Sequence, residues 1–271
     1  MPWTSEHISW LKELSSLLTT SDGRPVNVFE FTPDIHNSTK MSVWAKHFRN
    51  HYALDTEIDE LREGTGLSRK DYLLNLKFPS LKTPGPSIRA GDFAEILVAD
   101  YLEYALNHWV PRTRYSNKTI RDESTKGSDL IGFKLFDSSA SAKDMLTVLE
   151  VKAQFSGKTP DDKLQDAIEH SAKDKLRLAE SLNAIKQRLR AIGQTVEARS
   201  INRFQDPVDK PYQQQFGAAA LFTETAYDDT VITTANTINH PDGKNLFLIV
   251  IRADSFMDLV HHLYDLAANE A

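Results

Sequence analysis

The clearest hydrophobic pattern in the chain is Leu146-Thr-Val-Leu-Glu-Val-Lys-Ala-Gln154, a Leu/Val-rich run too short for a buried helix. Side chains alternate along a strand, so Leu146, Val148, Glu150, Lys152 and Gln154 share one face. Thr147, Leu149, Val151 and Ala153 share the other. Both faces begin apolar, which predicts a central strand covered on two sides. Upstream, Lys126-Gly-Ser-Asp129 reads as a turn feeding a second strand to Leu135, with Asp129 at its entrance. A polar, hairpin-like connection over 136–144 joins the two. Further strands are expected at Asn27–Phe31, 216–223 and 245–253.

Helical spacing appears elsewhere. Ile8, Leu11, Leu14 and Leu18 fall on one side of a helix over 5–19, and shorter helices are expected at 41–51 and 55–62. Asp92, preceded by Gly91, is read as the N-cap of a helix in which Glu95 shares a face with Val98, Ala99 and Leu102. A long polar helix is predicted over 160–193, its buried stripe formed by Leu164, Ile168, Leu176, Leu182, Ile185, Leu189 and Ile192. A last helix over 255–269 buries Phe256, Leu259, Val260, Leu263 and Ala267. Three prolines and a glycine within 78–88 mark the best boundary. The expected organisation is a mostly helical subdomain over 1–85 followed by a mixed α/β domain over 86–271.

Composition narrows the class. With 271 residues, 40% hydrophobic and 26% charged, the chain is an ordinary globular protein. Its longest strongly apolar run, Leu246 to Ile251, is far too short to span a bilayer, and Trp3–Thr20 lacks a signal-peptide pattern. The absence of cysteine removes disulfides and thiolate metal sites, and a cytoplasmic location is expected. A net charge of −6 argues against non-specific coating of nucleic acid, although local basic patches remain open.

The charged pair inside the apolar strand is the candidate chemistry. Moving a carboxylate and an ammonium out of water costs several kcal/mol per ion, so Glu150 and Lys152 have little reason to sit there for stability alone. Acidic-x-Lys also occurs at Asp161-Asp-Lys163 and Asp242-Gly-Lys244, but both lie beside turn formers and read as solvated loops. Hairpin pairing can bring Asp129 to Glu150, and two close carboxylates repel unless a cation such as Mg²⁺ lies between them. Glu95 has two readings: a carboxylate aimed at this site, or a first-turn residue favoured by the helix dipole. The basic stretch 111–126 (Arg112, Arg114, Lys118, Lys126) is either a solvated loop or a phosphate-binding one. The same choice applies to Lys173 and Arg177 on the long helix. His47 and His51 lie four apart, but without a His-Glu-x-x-His pattern they are read as helix surface. Ser156-Gly-Lys-Thr159 imitates the end of a P-loop whose first glycine position is Lys152, and Gly64-Thr-Gly66 lacks its third glycine. An ATP-driven activity would have to come from another protein.

The order helix with Glu95, strand with Asp129, strand with Glu150-x-Lys152 resembles the PD-(D/E)xK nuclease superfamily. That resemblance implies a restriction-endonuclease-like αβββαβ core. It also implies Mg²⁺, with Mn²⁺ as a substitute, held by Asp129, Glu150 and the Val151 carbonyl with Glu95 assisting. Lys152 would position or activate the attacking water, and Gln154 would orient its neighbours. Ser128 replaces the proline of the motif's name, and no Gln-x-x-x-Tyr follows, because residue 169 is glutamate. More narrowly, Arg89-Ala-Gly-Asp-Phe-Ala-Glu95, Lys126-Gly-Ser-Asp-Leu-Ile-Gly-Phe133, Leu149-Glu-Val-Lys-Ala-Gln154 and Leu164-Gln-Asp-Ala-Ile-Glu-His-Ser-Ala-Lys-Asp174 resemble the HamA family, nuclease subunits of the Hachiman anti-phage defence system. This likeness implies a DNA-degrading effector restrained by a helicase partner, HamB. The rival expectation is a non-catalytic partner- or DNA-binding subunit with the same fold; no motif supports an unrelated metabolic enzyme.

Overall fold

A computed structural model describes residues 2–15, 17–124, 127–137 and 140–271. Strands β1 (Leu11–Glu13), β2 (Leu18–Thr19), β3 (Pro25–Phe31), β4 (Leu130–Lys134), β5 (Met145–Gln154), β6 (Gln213–Thr223) and β7 (Phe247–Ala253) form one seven-stranded mixed sheet. Its order is β1-β3-β7-β6-β5-β4, with β2 pairing the start of β3. The four inner strands β3, β7, β6 and β5 are parallel, and β1 and β4 close the ends antiparallel. The helices are α1 (Ser38–Asn50), α2 (Ile58–Leu61), α3 (Arg69–Tyr72), α4 (Gly85–Asp100), α5 (Lys163–Ala191), α6 (Thr195–Ser200), α7 (Asp229–Thr234) and α8 (Phe256–Asn269).

Parallel strands must be covered on both faces, and these are. One face (Phe29, Phe31, Leu149, Val151, Leu221, Ile249, Ile251) packs under α1, α4 and α8. The other (Val28, Leu146, Val148, Phe216, Phe222, Val250) packs against α5 and residues 198–204. The expected alternation along β5 therefore holds, with Leu149 and Val151 facing α4, and Leu146 and Val148 facing α5. At Gly217 of β6 a Cβ would lie 2.3 Å from Leu149 Cδ2 and 2.5 Å from the Phe247 carbonyl, so only glycine lets the three strands close here.

Several local expectations give way to tertiary context. Residues 5–19 are not a helix: a 3₁₀ turn at Glu6–Trp10 leads into β1 and β2, and both strands pair with β3. The segment before residue 85 therefore contributes three strands to the same sheet, and α1 packs on α8. The proline-rich stretch starts α4 rather than a linker, because Pro86 lies in its first turn, where no amide donor is missed. Asp92 is thus a buried mid-helix residue and not an N-cap. On α5, Leu164, Ile168, Leu182 and Leu189 are buried as expected, but Leu176 is 87% exposed and Ile192 also faces solvent. The α8 stripe is buried throughout.

Candidate functional site

Strand register builds the centre. The last β4–β5 pair is Leu130 with Leu149, so one further step places Asp129 opposite Glu150. β4 ends there, and the freed Val151 amide donates to Asp129 Oδ2 at 3.0 Å. The carbonyl of a strand residue points the same way as its N–H, so the Val151 oxygen also faces the gap beyond β4. On the α5 face, Lys152 Nζ lies 2.6 Å from Glu150 Oε1, and His170 Nδ1 of α5 lies 3.3 Å from the same oxygen. Glu95 approaches from α4 on the opposite face.

Arg114 joins the two sides. Its Nε is 2.8 Å from Glu95 Oε2, its Nη2 is 2.9 Å from Asp129 Oδ1, and its Nη1 donates to the Ser128 carbonyl at 2.6 Å. Tyr115 donates its hydroxyl to Glu95 at 2.5 Å. Burial pushes the Glu95 carboxyl upward; Arg114 opposes this, while Asp129 and Asp92 add to it. Asp129 is likewise raised, first by burial and then by Glu150, with Arg114, the Val151 amide and Lys152 offsetting part of the rise. The centre holds more negative charge than its cations neutralise.

The remaining expected residues are dispersed. Gln154 is tied to the next loop, donating to the Thr159 carbonyl at 2.8 Å and accepting from the Asp161 amide at 2.9 Å. Arg112 and Lys118 are not on a solvated loop. Lys118 is buried 2.6 Å from Asp92 Oδ2, and Arg112 enters a second buried cluster. Each pairs with a buried acidic residue of α4 and offsets part of its desolvation cost, beside the Tyr52 hydroxyl on Asp92 and the histidines on Asp100. Lys173 is exposed, Arg177 pairs with Asp174 at 3.1 Å, and Lys126 lies outside the described residues. Ser128, in the motif's proline position, donates to Asp174 at 3.0 Å, fixing the turn before Asp129 to α5.

The second cluster surrounds Asp100 at the end of α4. His7 Nε2 and His47 Nε2 each lie 2.9 Å from Asp100 Oδ2, and Arg112 Nη2 lies 2.8 Å from Oδ1. His51 Nε2 accepts from Arg112 Nη1 at 2.7 Å. His47 and His51 are therefore buried, not surface, because α1 turns this side towards α4. His7, His47 and Asp100 have donor atoms close enough to hold a metal ion. However, the Thr4 amide donates to His47 Nδ1 at 3.1 Å, which leaves the His47 proton on Nε2, facing Asp100. A metal at Nε2 would instead need a proton on Nδ1, opposed to the Thr4 donor. The cluster is a hydrogen-bonded hub. Burial tends to raise the Asp100 carboxyl, but His47, Arg112 and His7 hold it well below its ordinary value.

A family model for HamA matches residues 6–267 of the 271-residue chain. This chain belongs to the HamA family. Membership supports a role in Hachiman anti-phage defence. No curated protein sequence matches the chain. Within this HamA-family chain no described helix is long and apolar enough to cross a membrane. Sequence reasoning had not given Arg114, Tyr115 and His170 their places in the centre. A signal existed for the first two: Asp92, Glu95 and Asp100 spread over the buried side of one helix demand cations or donors from elsewhere, and 112–118 is the nearest basic segment.

Proposed function

We propose that this HamA-family chain is a metal-dependent DNA nuclease with a restriction-endonuclease-like core, acting as a defence effector under the control of a helicase partner. The observation that carries the reading is the register step that sets Asp129 opposite Glu150-x-Lys152, beside Glu95. The donors are all hard oxygen (Glu95, Asp129, Glu150 and the Val151 carbonyl), the chemistry that suits Mg²⁺, although the three carboxylates do not all lie within 4.8 Å of one another and a bound ion would have to draw them together. Burial first, and then the neighbouring carboxylates, raise Glu95 and Asp129, and a divalent cation is the counter-charge that such a pair accepts. When bound, the metal would supply charge neutralisation at the phosphodiester and a lowered pKa for water.

The chain's own groups then have defined tasks. Glu150 holds Lys152 and is itself steadied by His170, so the Lys152 ammonium is kept at the rim of the acidic centre. From there it orients the attacking water and adds positive charge where the phosphoryl oxygens gain negative charge. The Val151 amide fixes Asp129 Oδ2, while Oδ1 carries the Arg114 ion pair.

One observation favours a second reading, a non-catalytic DNA- or partner-binding subunit: Arg114 bridges Glu95 and Asp129 in the manner of a structural ion pair. Plasmid cleavage separates the two. Wild type, Glu150→Ala and Lys152→Ala are compared with Mg²⁺ and with EDTA, each alone and with a helicase encoded beside it. Metal-dependent cutting that both substitutions abolish supports the nuclease; no cutting by wild type in any combination supports the binding subunit.

A further inference from the structure

We propose that Arg114 is a displaceable internal counter-cation: it neutralises Glu95 and Asp129 until a divalent metal takes them, and its guanidinium then passes to a backbone phosphate of the nucleic acid. The inference rests on the metal-dependent reading of this centre and adds how the centre is loaded.

Three observations carry it. First, one side chain spans both carboxylates, with Nε on Glu95 and Nη2 on Asp129. A guanidinium there and a divalent ion on the same oxygens repel each other, so occupancy by one disfavours the other. Second, the arginine fork matches carboxylate and phosphate equally well, so a phosphodiester with two non-bridging oxygens is a geometric replacement for the partners it gives up. Third, an anion-ready cation already lines the same cleft. Arg188 of α5 faces the cleft alongside Arg114, Asp129 and Glu95, and no carboxylate among the described residues lies within salt-bridge distance of it. Burial and the Arg114 charge both lower the Arg188 pKa, as expected for a cation short of an anion. A phosphate entering between α5 and Asp129 would meet Arg188 and give Arg114 somewhere to go.

The surrounding segment confines the motion to this one side chain. Arg112 is pinned to Asp100 and Lys118 to Asp92, so both ends of 112–118 stay anchored while Arg114 exchanges partners. Metal and nucleic acid then load together: phosphate draws Arg114 off the carboxylates, and metal replaces it. The chain free of nucleic acid binds metal weakly.

The test is Mn²⁺ binding to the full-length chain, read from the electron paramagnetic resonance of free Mn²⁺, with and without a phosphorothioate DNA duplex that resists cleavage. Wild type, Arg114→Gln, Arg188→Gln and Arg114→Gln/Asp129→Asn are compared, with melting curves to confirm folding. Without DNA, Arg114→Gln is expected to bind Mn²⁺ about tenfold more tightly than wild type, within the usual range of coupling between sites. The added Asp129→Asn should abolish that gain. The duplex should tighten Mn²⁺ binding to wild type, less so to Arg188→Gln, and least to Arg114→Gln, in which nothing remains to be displaced. If Arg114→Gln fails to fold, Arg114→Lys, which cannot span both carboxylates, should show the same change at smaller size. Equal or weaker Mn²⁺ binding by the Arg114 variants overturns the exchange and makes Arg114 structural. Failure of every chain to bind Mn²⁺, with duplex present, overturns the metal-dependent reading itself.

Discussion

Two buried acidic centres sit on the same helix, and they are neutralised differently. Around Asp100 donors are in surplus: two histidines and Arg112 converge on one carboxylate, which is held well below its ordinary pKa. Around Glu95 and Asp129, five residues and one strand away, one guanidinium is shared between two carboxyls and burial pushes both up. A saturated charge stabilises a fold; an under-neutralised pair costs stability and is retained where it has another task. The contrast separates the hub from the proposed functional centre, although the hub has the tighter cluster of metal-type side chains.

The widest separation should come from Asp129→Asn and Asp100→Asn measured side by side. Asp129→Asn is expected to cut DNA cleavage by about 10²–10³-fold or more, the size seen when a charge-stabilising group is removed, with little change in melting temperature. Asp100→Asn should cost roughly 3–5 kcal/mol of unfolding free energy in a urea titration, because Arg112 and the histidines lose their shared anion. Equal destabilisation by the two substitutions would erase the distinction.

Metal should stabilise only one of the centres. Mg²⁺ at about 100 times its Kd adds roughly 2.7 kcal/mol to a chain that binds it when folded. A thermal shift is therefore expected for wild type but not for Asp129→Asn.

The pH dependences should have opposite sense. Glu95 and Asp129 hold protons more tightly in the folded chain, so their contribution to stability is full below the ordinary carboxylate range and is lost as pH rises through their raised values. Wild type should therefore lose stability relative to Glu95→Gln as pH increases. Asp100 is lowered, so its contribution is present above the ordinary carboxylate range and is lost as pH falls through its lowered value. Its advantage over Asp100→Asn should shrink on acidification. Melting curves of the three chains between about pH 3 and pH 9, bracketing the ordinary carboxylate values, read both slopes.

The smallest effect is expected at His170, which is 47% exposed on its side-chain surface. His170→Ala should leave stability within about 0.5 kcal/mol, as for most surface substitutions, while slowing cleavage several-fold through a looser Glu150. Unchanged cleavage would remove His170 from the centre.

The parts of the centre that lie within one strand or one helix could be read from the chain. The alternation along β5 placed Glu150 and Lys152 on one face, the 3-4-7 spacing put Glu95 on the buried side of α4, and the hairpin connection suggested that Asp129 meets Glu150. What could not be read was the partner of each buried charge. Arg112, Arg114 and Lys118 resemble any basic loop until the acidic residues of α4 are seen facing them. His47 and His51 look like surface until α1 is packed against α4 and the segment carrying Trp3, Thr4 and His7. Leu11 and Leu18 fit a helical period, yet backbone pairing with β3 offered each of them a better arrangement.

The amino-acid sequence by itself determined strands β3 to β7, the long helices α5 and α8 and the acidic-x-lysine pair, because periodicity and local steric preference act over a few residues. Only the tertiary structure decided which cation neutralises which buried carboxylate, because the cost of a desolvated charge is settled by partners distant along the chain.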